Sequence, residues 1–396
     1  MRPDLSFAKR QIRGECRLSI NRVAPAIFLV ALCLAVLWFL TPAPSTVEAG
    51  IDLQQALSDS GGDFAEVVPG RDFSFPADHG AHPGFKTEWW YFTGHLFTQD
   101  DRRFGYQVTL FRVGLPGVDK SENPSAWTSD AIFMGHLALS DPKHEKFRDF
   151  ERFSRVALGL AGVEGVPPRV WLEDWSISRS DDGWSLKAGV EGEDGFLLDL
   201  NLRDTKPPVL QGEGGYSRKG PLSQHASYYV SQTRLATSGL LEVSGERLQV
   251  EGSSWFDHEW SSEAMAEGLV GWDWFSLQLD DDTELMLYLL RYDDGRLESA
   301  SSGALIDAQG KKHHLALSDF AVESLATHRS PSGRVYPSRW RVEVPSEKLT
   351  LEVVPTMADQ EMTSGVPYWE GAVTVKGARD SEPVAGNGFV ELTGYK

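Results

Sequence analysis

From Trp89 onward, apolar and polar residues alternate in short runs instead of recurring at helical spacing. Runs rich in β-formers at residues 132–139, 170–177, 184–190, 196–202, 226–233 and 240–243 predict strands. Turn signals such as Asp181-Asp182-Gly183, Glu193-Asp194-Gly195 and Asp293-Asp294-Gly295 punctuate the series. Only residues 143–160 suggest a helix or an irregular insertion. Many short strands at this spacing predict an all-β sandwich or an up-and-down barrel. Aromatics two apart, such as Trp272 and Trp274, can share one face and point into a lumen, which favours the barrel. A lumen of about eight to ten strands could hold one small ligand.

The pattern occurs twice. Glu88-Trp89-Trp90-Tyr91-Phe92 passes through an acidic turn into a strand ending at Arg112, and Gly271-Trp272-Asp273-Trp274-Phe275 passes through Asp280-Asp281-Asp282 into a strand ending at Arg291. A second pair of segments also corresponds. Gly239 and Gly245 followed by Gly252-x-x-Trp255-x-Asp257 match Gly371 and Gly377 followed by Gly386-x-x-Phe389-x-Glu391. Self-similarity on this scale predicts two copies of one β-unit. Arg112 and Arg291, at equivalent positions, are expected to pair with acids at the barrel rims.

The start of the chain differs in character. Lys9, Arg10, Arg13, Arg17 and Arg22 precede an uncharged apolar run over residues 23–41. Residues 1–49 therefore predict a signal peptide or signal anchor that leaves the remainder exported, periplasmic or membrane-anchored. Residues 50–62 read as a linker, 63–258 as the first domain and 259–396 as the second. Both cysteines, Cys16 and Cys33, lie in the leader, so the exported part has no disulfide chemistry. The leader holds six Lys/Arg and three Asp/Glu against 38 and 57 in the whole chain, which leaves the remainder near −22. Such a surface is a poor partner for nucleic acid.

Candidate chemistry concentrates between the copies. In Asp257-His258-Glu259-Trp260 neighbouring residues alternate, so Asp257 and Glu259 should face one way and His258 and Trp260 the other. Asp78, His79, His82 and Glu88 could be drawn together as metal ligands. Their spacing matches no known zinc or iron pattern, and no metal or cofactor is expected. Glu88, Trp89, Trp90, Tyr91, Trp255, Trp272 and Trp274 are the candidate residues for lining a cavity that takes an apolar lipid or isoprenoid. No nucleophile elbow, Walker loop or dinucleotide fingerprint is present.

Four ordered segments carry a family resemblance: residues 82–96, residues 226–235 leading to Gly239, residues 255–260 and the closing residues 388–395. Together they resemble the AttH/CrtC family of exported lipocalin-like proteins. The resemblance implies two tandem lipocalin-like β-barrels. It also implies two functions: an apolar-ligand binder serving an ABC transporter permease, as in AttH-type members, or a carotenoid 1,2-hydratase, as in CrtC-type members. The family's H-x-W pattern falls on His258 and Trp260 and its strand tyrosine on Tyr288, with Asp257 or Asp273 standing in for an acid that the next positions, Leu289 and Leu290, do not supply. The expectation is a binding or transport-accessory protein, with the hydratase as alternative and a purely structural role as a third.

Overall fold

A computed structural model describes residues 63–117, 125, 127–263, 265–363, 365 and 367–396; the predicted leader and linker lie outside the described residues. No helix among the described residues is long and apolar enough to cross a membrane.

The first sheet begins with β1 (Thr87–Phe97), β2 (Arg103–Gly114), β3 (Ala131–Asp141) and β4 (Lys146–Arg155). It continues through β5 (Ala161–Glu164), β6 (Arg169–Leu172), β7 (Trp175–Ser180), β8 (Gly183–Val190), β9 (Phe196–Asp204), β10 (Val209–Leu210), β11 (Tyr216–Arg218), β12 (Ala226–Val243) and β13 (Glu246–Ser261). The second sheet contains β14 (Leu269–Leu279), β15 (Glu284–Tyr292), β16 (Ser302–Ile306), β17 (Lys312–Ala316) and β18 (Ala321–Arg329). It is completed by β19 (Val335–Val344), β20 (Leu349–Pro355), β21 (Glu361–Met362), β22 (Tyr368–Arg379) and β23 (Glu382–Leu392). The first sheet's closing strand thus runs past the 258 boundary read from the sequence.

Strand order repeats between the sheets. The first runs β4-β3-β2-β1-β13-β12-β9-β8-β7-β6-β5 and the second β17-β16-β15-β14-β23-β22-β20-β19-β18. The second is the first without counterparts of β5, β6 and the short β11, as expected of a duplicated, lipocalin-like all-β unit. Both opening hairpins turn through an aspartate at positive φ, Asp101 at 59° and Asp282 at 58°, a backbone region that aspartate tolerates better than most residues. One detail of the repeat changes. Val250 faces Gly239 across β13 and β12, while its counterpart Val384 faces Gly377. Gly377, not Gly371, therefore takes the place of Gly239.

Two local expectations are also corrected. Residues 146–155 form strand β4, not a helix. Phe147, Phe150 and Phe153 imitate helical spacing, yet Phe150 packs on the first barrel's core while Phe147 packs against Met362 and Tyr368 on the outer side. The runs at 226–233 and 240–243 are one strand, with a register shift between Gln232 and Leu235.

Each sheet curls around its own packed core. Trp90, Phe92, Phe104, Tyr106 and Trp175 fill the first, and Trp340, Trp369 and Tyr336 are among those filling the second. Of the aromatics expected to line a cavity, Trp90 fills the first lumen, while Trp89, Tyr91, Trp255, Trp272 and Trp274 cluster outside the two barrel cores. Alternation sends the other face of β1 and β14 outward, and there the barrels meet about a pseudo-twofold axis. His95 bonds the carbonyl of Gly388 at 2.8 Å. At the equivalent positions, Gln278 Nε2 donates to the carbonyl of Ser254 at 3.0 Å. Tyr91 and Trp274, another equivalent pair, meet edge to face at 5.3 Å. The seam is close enough that a Cβ on Gly105 would lie 2.4 Å from that of Ala372.

Gly105→Val should wedge the seam and destabilise the protein by about 1–3 kcal/mol, the usual cost of overpacking. A urea melt should record the loss, and an unchanged midpoint would mean that the barrels do not pack as described.

Candidate functional site

The strand period of two decides which residues reach the seam. On β13, Asp257 and Glu259 face outward between the barrels, and His258 and Trp260 face into the first barrel, as the alternation predicts. A cavity of about 90 Å³ lies at the seam. The first barrel contributes Trp89, Tyr91, Phe111, Tyr229, Asp257 and Glu259, and the second contributes Trp272, Trp274, Tyr288, Leu290, Tyr368 and Glu391. Lys219 and Met265 complete it from loops. Trp89 and Trp272 are only half-buried and form its rim.

Asp257 and Glu391 are the same position in the two copies, each following the glycine of G-x-x-aromatic-x-acid. The pseudo-twofold axis brings both to one cavity. Asp257 accepts hydrogen bonds from Ser231 Oγ (2.6 Å), Tyr229 Oη (2.6 Å) and Trp255 Nε1 (2.7 Å). Burial still pushes its carboxyl up to about 7, helped by the nearby Glu259. Glu391 is pushed up to about 8 by burial and by the charges of Asp257 and Glu259. Across the strand pair from Glu391 stands Glu370, raised well above the carboxylate range by burial and by Glu391. Tyr91 Oη donates to Glu370 at 2.7 Å. Lys219 is the cation lining this cavity. Burial pulls its ammonium down, but Glu259 at 3.0 Å more than offsets that and holds it above its ordinary value. Its Nζ also lies 4.1 Å from the Tyr288 ring centroid and 4.9 Å from that of Tyr229.

The opposite face of β13 meets a second polar cluster, which fastens residues 71–82 to the first barrel. Arg71 Nη2 pairs with Asp78 at 2.5 Å, Asp78 with His82 Nε2 at 3.1 Å, and His82 Nδ1 with Glu88 at 2.7 Å. His258 Nε2 reaches the same Glu88 oxygen at 3.0 Å. His82 stacks on Trp260 with ring centroids 3.7 Å apart, and His258 stacks on Trp90 at 4.9 Å. Burial alone would raise Glu88, yet hydrogen bonds from His258 and His82 bring it down to about 2. His82 is raised, because Asp78 and Glu88 outweigh its burial, while burial lowers His258. The donor atoms of His82, Glu88 and His258 lie within 4.8 Å of one another. That spacing could accommodate a cation, but all three are already engaged in this hydrogen-bond chain, to which the His82 backbone N–H also donates.

Of the sequence candidates, Asp257, Tyr288, Trp89, Tyr91, Trp272 and Trp274 line the cavity. Trp255 stands behind it, holding Asp257. Glu88, Trp90, His258 and Trp260 belong to the other face. Sequence reasoning placed Glu259 on the face of Asp257 but missed Lys219, Tyr229, Glu370, Tyr368 and Glu391. Only Glu391 carried a signal, through its equivalence to Asp257. The two arginines do pair with acids: Arg112 with Glu88 at 3.9 Å and Arg291 with Asp273 at 2.8 Å.

The AttH-like family profile matches residues 66–395. A crystal structure described provisionally as an AttH from Nitrosomonas europaea is 38% identical, covers 84% of this chain and 100% of its own, and superposes with a TM-score of 0.74. Kievitone hydratase from Nectria haematococca has a similar fold, at 16% identity and a TM-score of 0.59 over 84% of this chain and 98% of its own. The dehydratase asqC of Emericella nidulans is 22% identical over 222 residues, 54% of this chain; the match spans 58% of that relative's length.

Glu88→Gln removes the anion that two imidazoles and a backbone amide share. At neutral pH the variant should lose about 3–5 kcal/mol, the scale for breaking a buried ion pair. Glu88 is depressed in the fold, so its contribution is present above its unfolded value of 4.5 and is lost as pH falls toward about 2. The gap between wild type and variant in urea melts should therefore close over that window. A gap that does not change with pH would contradict the assignment.

Proposed function

The chain belongs to the AttH-like family, and from that premise we propose that it is an acid–base enzyme of the hydro-lyase class. It adds water to, or removes water from, a carbon–carbon bond of an apolar substrate whose reacting end enters the seam cavity. The observation that carries this reading is the pair Asp257 and Glu391, two buried carboxyls near neutrality that face aromatic walls. The dehydratase asqC and kievitone hydratase, both similar to this chain, support a water-adding or water-eliminating chemistry.

The two acids divide the work by environment. Three donors stabilise the Asp257 anion, so Asp257 ionises first and serves as base. Glu391 keeps its proton to higher pH and serves as acid. In hydration the Glu391 proton forms a new C–H bond at the double bond, leaving a positive charge on the neighbouring carbon. The faces of Trp89, Trp272 and Trp274 attract that charge. A water oxygen bonds to the cationic carbon and its surplus proton passes to Asp257. A proton then returns to Glu391 and resets the pair; dehydration is the reverse. His258 and Trp260, which the family pattern marks for catalysis, support the site from behind β13 by anchoring Glu88 and His82. The basic and apolar leader supports an exported enzyme.

The competing reading is ligand binding without turnover, including accessory service to an ABC transporter. Incubation with an acyclic isoprenoid in heavy-oxygen water, followed by mass spectrometry, separates the two. The enzyme reading expects a labelled tertiary alcohol, reduced about 100- to 10,000-fold by Glu391→Gln. Its rate should rise with pH as Asp257 ionises near 7 and fall as Glu391 ionises near 8. Retained substrate with no label in the folded protein would favour the binder.

A further inference from the structure

We infer that the seam cavity is a receptor for an organic cation, a hydrophobic ammonium whose charged head enters between Trp89 and Trp272. The inference concerns the same cavity as the hydro-lyase reading but does not depend on turnover.

Charge counting comes first. Asp257 and Glu259 from β13 and Glu391 from β23 line the cavity, and Glu370 from β22, 1% exposed, stands opposite Glu391 on the neighbouring strand. Lys219 is the ammonium among the groups lining the cavity, and it is paired with Glu259 at 3.0 Å. Among the described residues lining or adjoining the cavity, three carboxyls are left without a matching cation. The remaining titratable neighbours are Tyr91, Tyr229, Tyr288 and Tyr368, with His136 behind Tyr368 at 2.9 Å. None of the tyrosines supplies positive charge.

Two independent features point to what is missing. The Glu370 Oε2 atom is buried with no hydrogen-bond partner, in a residue 1% exposed. Such an acceptor is costly to leave unpaired. The walls are also those that suit a cation: Trp89, Trp272, Trp274 and Tyr91 present aromatic rings, and cation–π recognition of ammonium groups uses this arrangement. The site already holds one example, since the Lys219 ammonium sits over the rings of Tyr288 and Tyr229. Without a bound cation, protons neutralise the surplus acids, consistent with the elevated values of Asp257, Glu370 and Glu391. A ligand cation would take their place, so its binding should release protons. A cavity of about 90 Å³ suits a compact head group. The same electrostatics would favour a transient carbocation, but a stable ammonium reports on them without chemistry.

Choline and dimethylbutanol, its neutral isostere with carbon in place of nitrogen, provide the test by calorimetry on the exported protein. Choline should bind roughly tenfold or more tightly than the isostere above pH about 8, and the preference should shrink below pH about 6. In the window between, binding heat should vary with the buffer's ionisation enthalpy as protons leave. Glu391→Gln should weaken choline binding. Lys219→Met, which removes the resident ammonium, should strengthen it, a direction that loss of folding cannot produce. Equal binding of the two isosteres, or binding of neither, overturns the inference. Choline binding in a protein that fails to label an isoprenoid would leave it standing and remove the hydro-lyase reading instead.

Discussion

Everything in this molecule depends on the strand's period of two. Because neighbouring side chains point to opposite faces, β1 and β13 each serve two compartments at once. Glu88, Trp90, His258 and Trp260 close the first barrel from within, while Trp89, Tyr91, Asp257 and Glu259 build the wall of a cavity outside it. A one-residue slip in either strand would exchange the two sets. The packed lumen fixes the register, and the register delivers acids to the seam.

The two faces treat carboxyls in opposite ways. Glu88 is wholly buried yet held near 2, because imidazoles and a backbone amide donate to it and Arg112 lies 3.9 Å away. Asp257 is just as buried and accepts three hydrogen bonds, yet it sits near 7. Burial cannot be the difference. Asp257 receives its bonds from neutral donors and has Glu259 for a neighbour, whereas Glu88 is bonded by His82, itself raised toward the charged form. A nearby positive charge, more than the number of hydrogen bonds, decides whether a buried acid keeps its proton.

Much of this was legible in the sequence. The duplication, the all-β class and the division of residues 257–260 between two faces follow from spacing alone. What sequence reasoning could not supply was the location of the cavity. Tryptophans two apart can line a lumen or face a neighbouring barrel, and the pattern of Trp272 and Trp274 is identical in both cases. Lys219 and Tyr229 reach the site through tertiary packing and carry no local signature. Residues 143–160 misled because phenylalanines three apart satisfy a helix and an edge strand equally well. The family pattern at His258 and Trp260 falls on the face of β13 opposite the seam cavity.

Duplication also explains how one cavity can hold two carboxyls of different proton affinity. A symmetric dimer would place two identical carboxyls across its axis, with the same proton affinity by necessity. Fusing the copies into one chain releases that constraint. Opposite Asp257 the sequence keeps Ser231, a donor; opposite Glu391 the equivalent position is Glu370, a second acid. The donor favours the anion on one side, while burial and the charges of Asp257 and Glu259 disfavour it on the other, so the two carboxyls differ in proton affinity in the direction that the proposed acid–base chemistry needs. The seam keeps the geometry of a twofold axis while its chemistry has become one-sided.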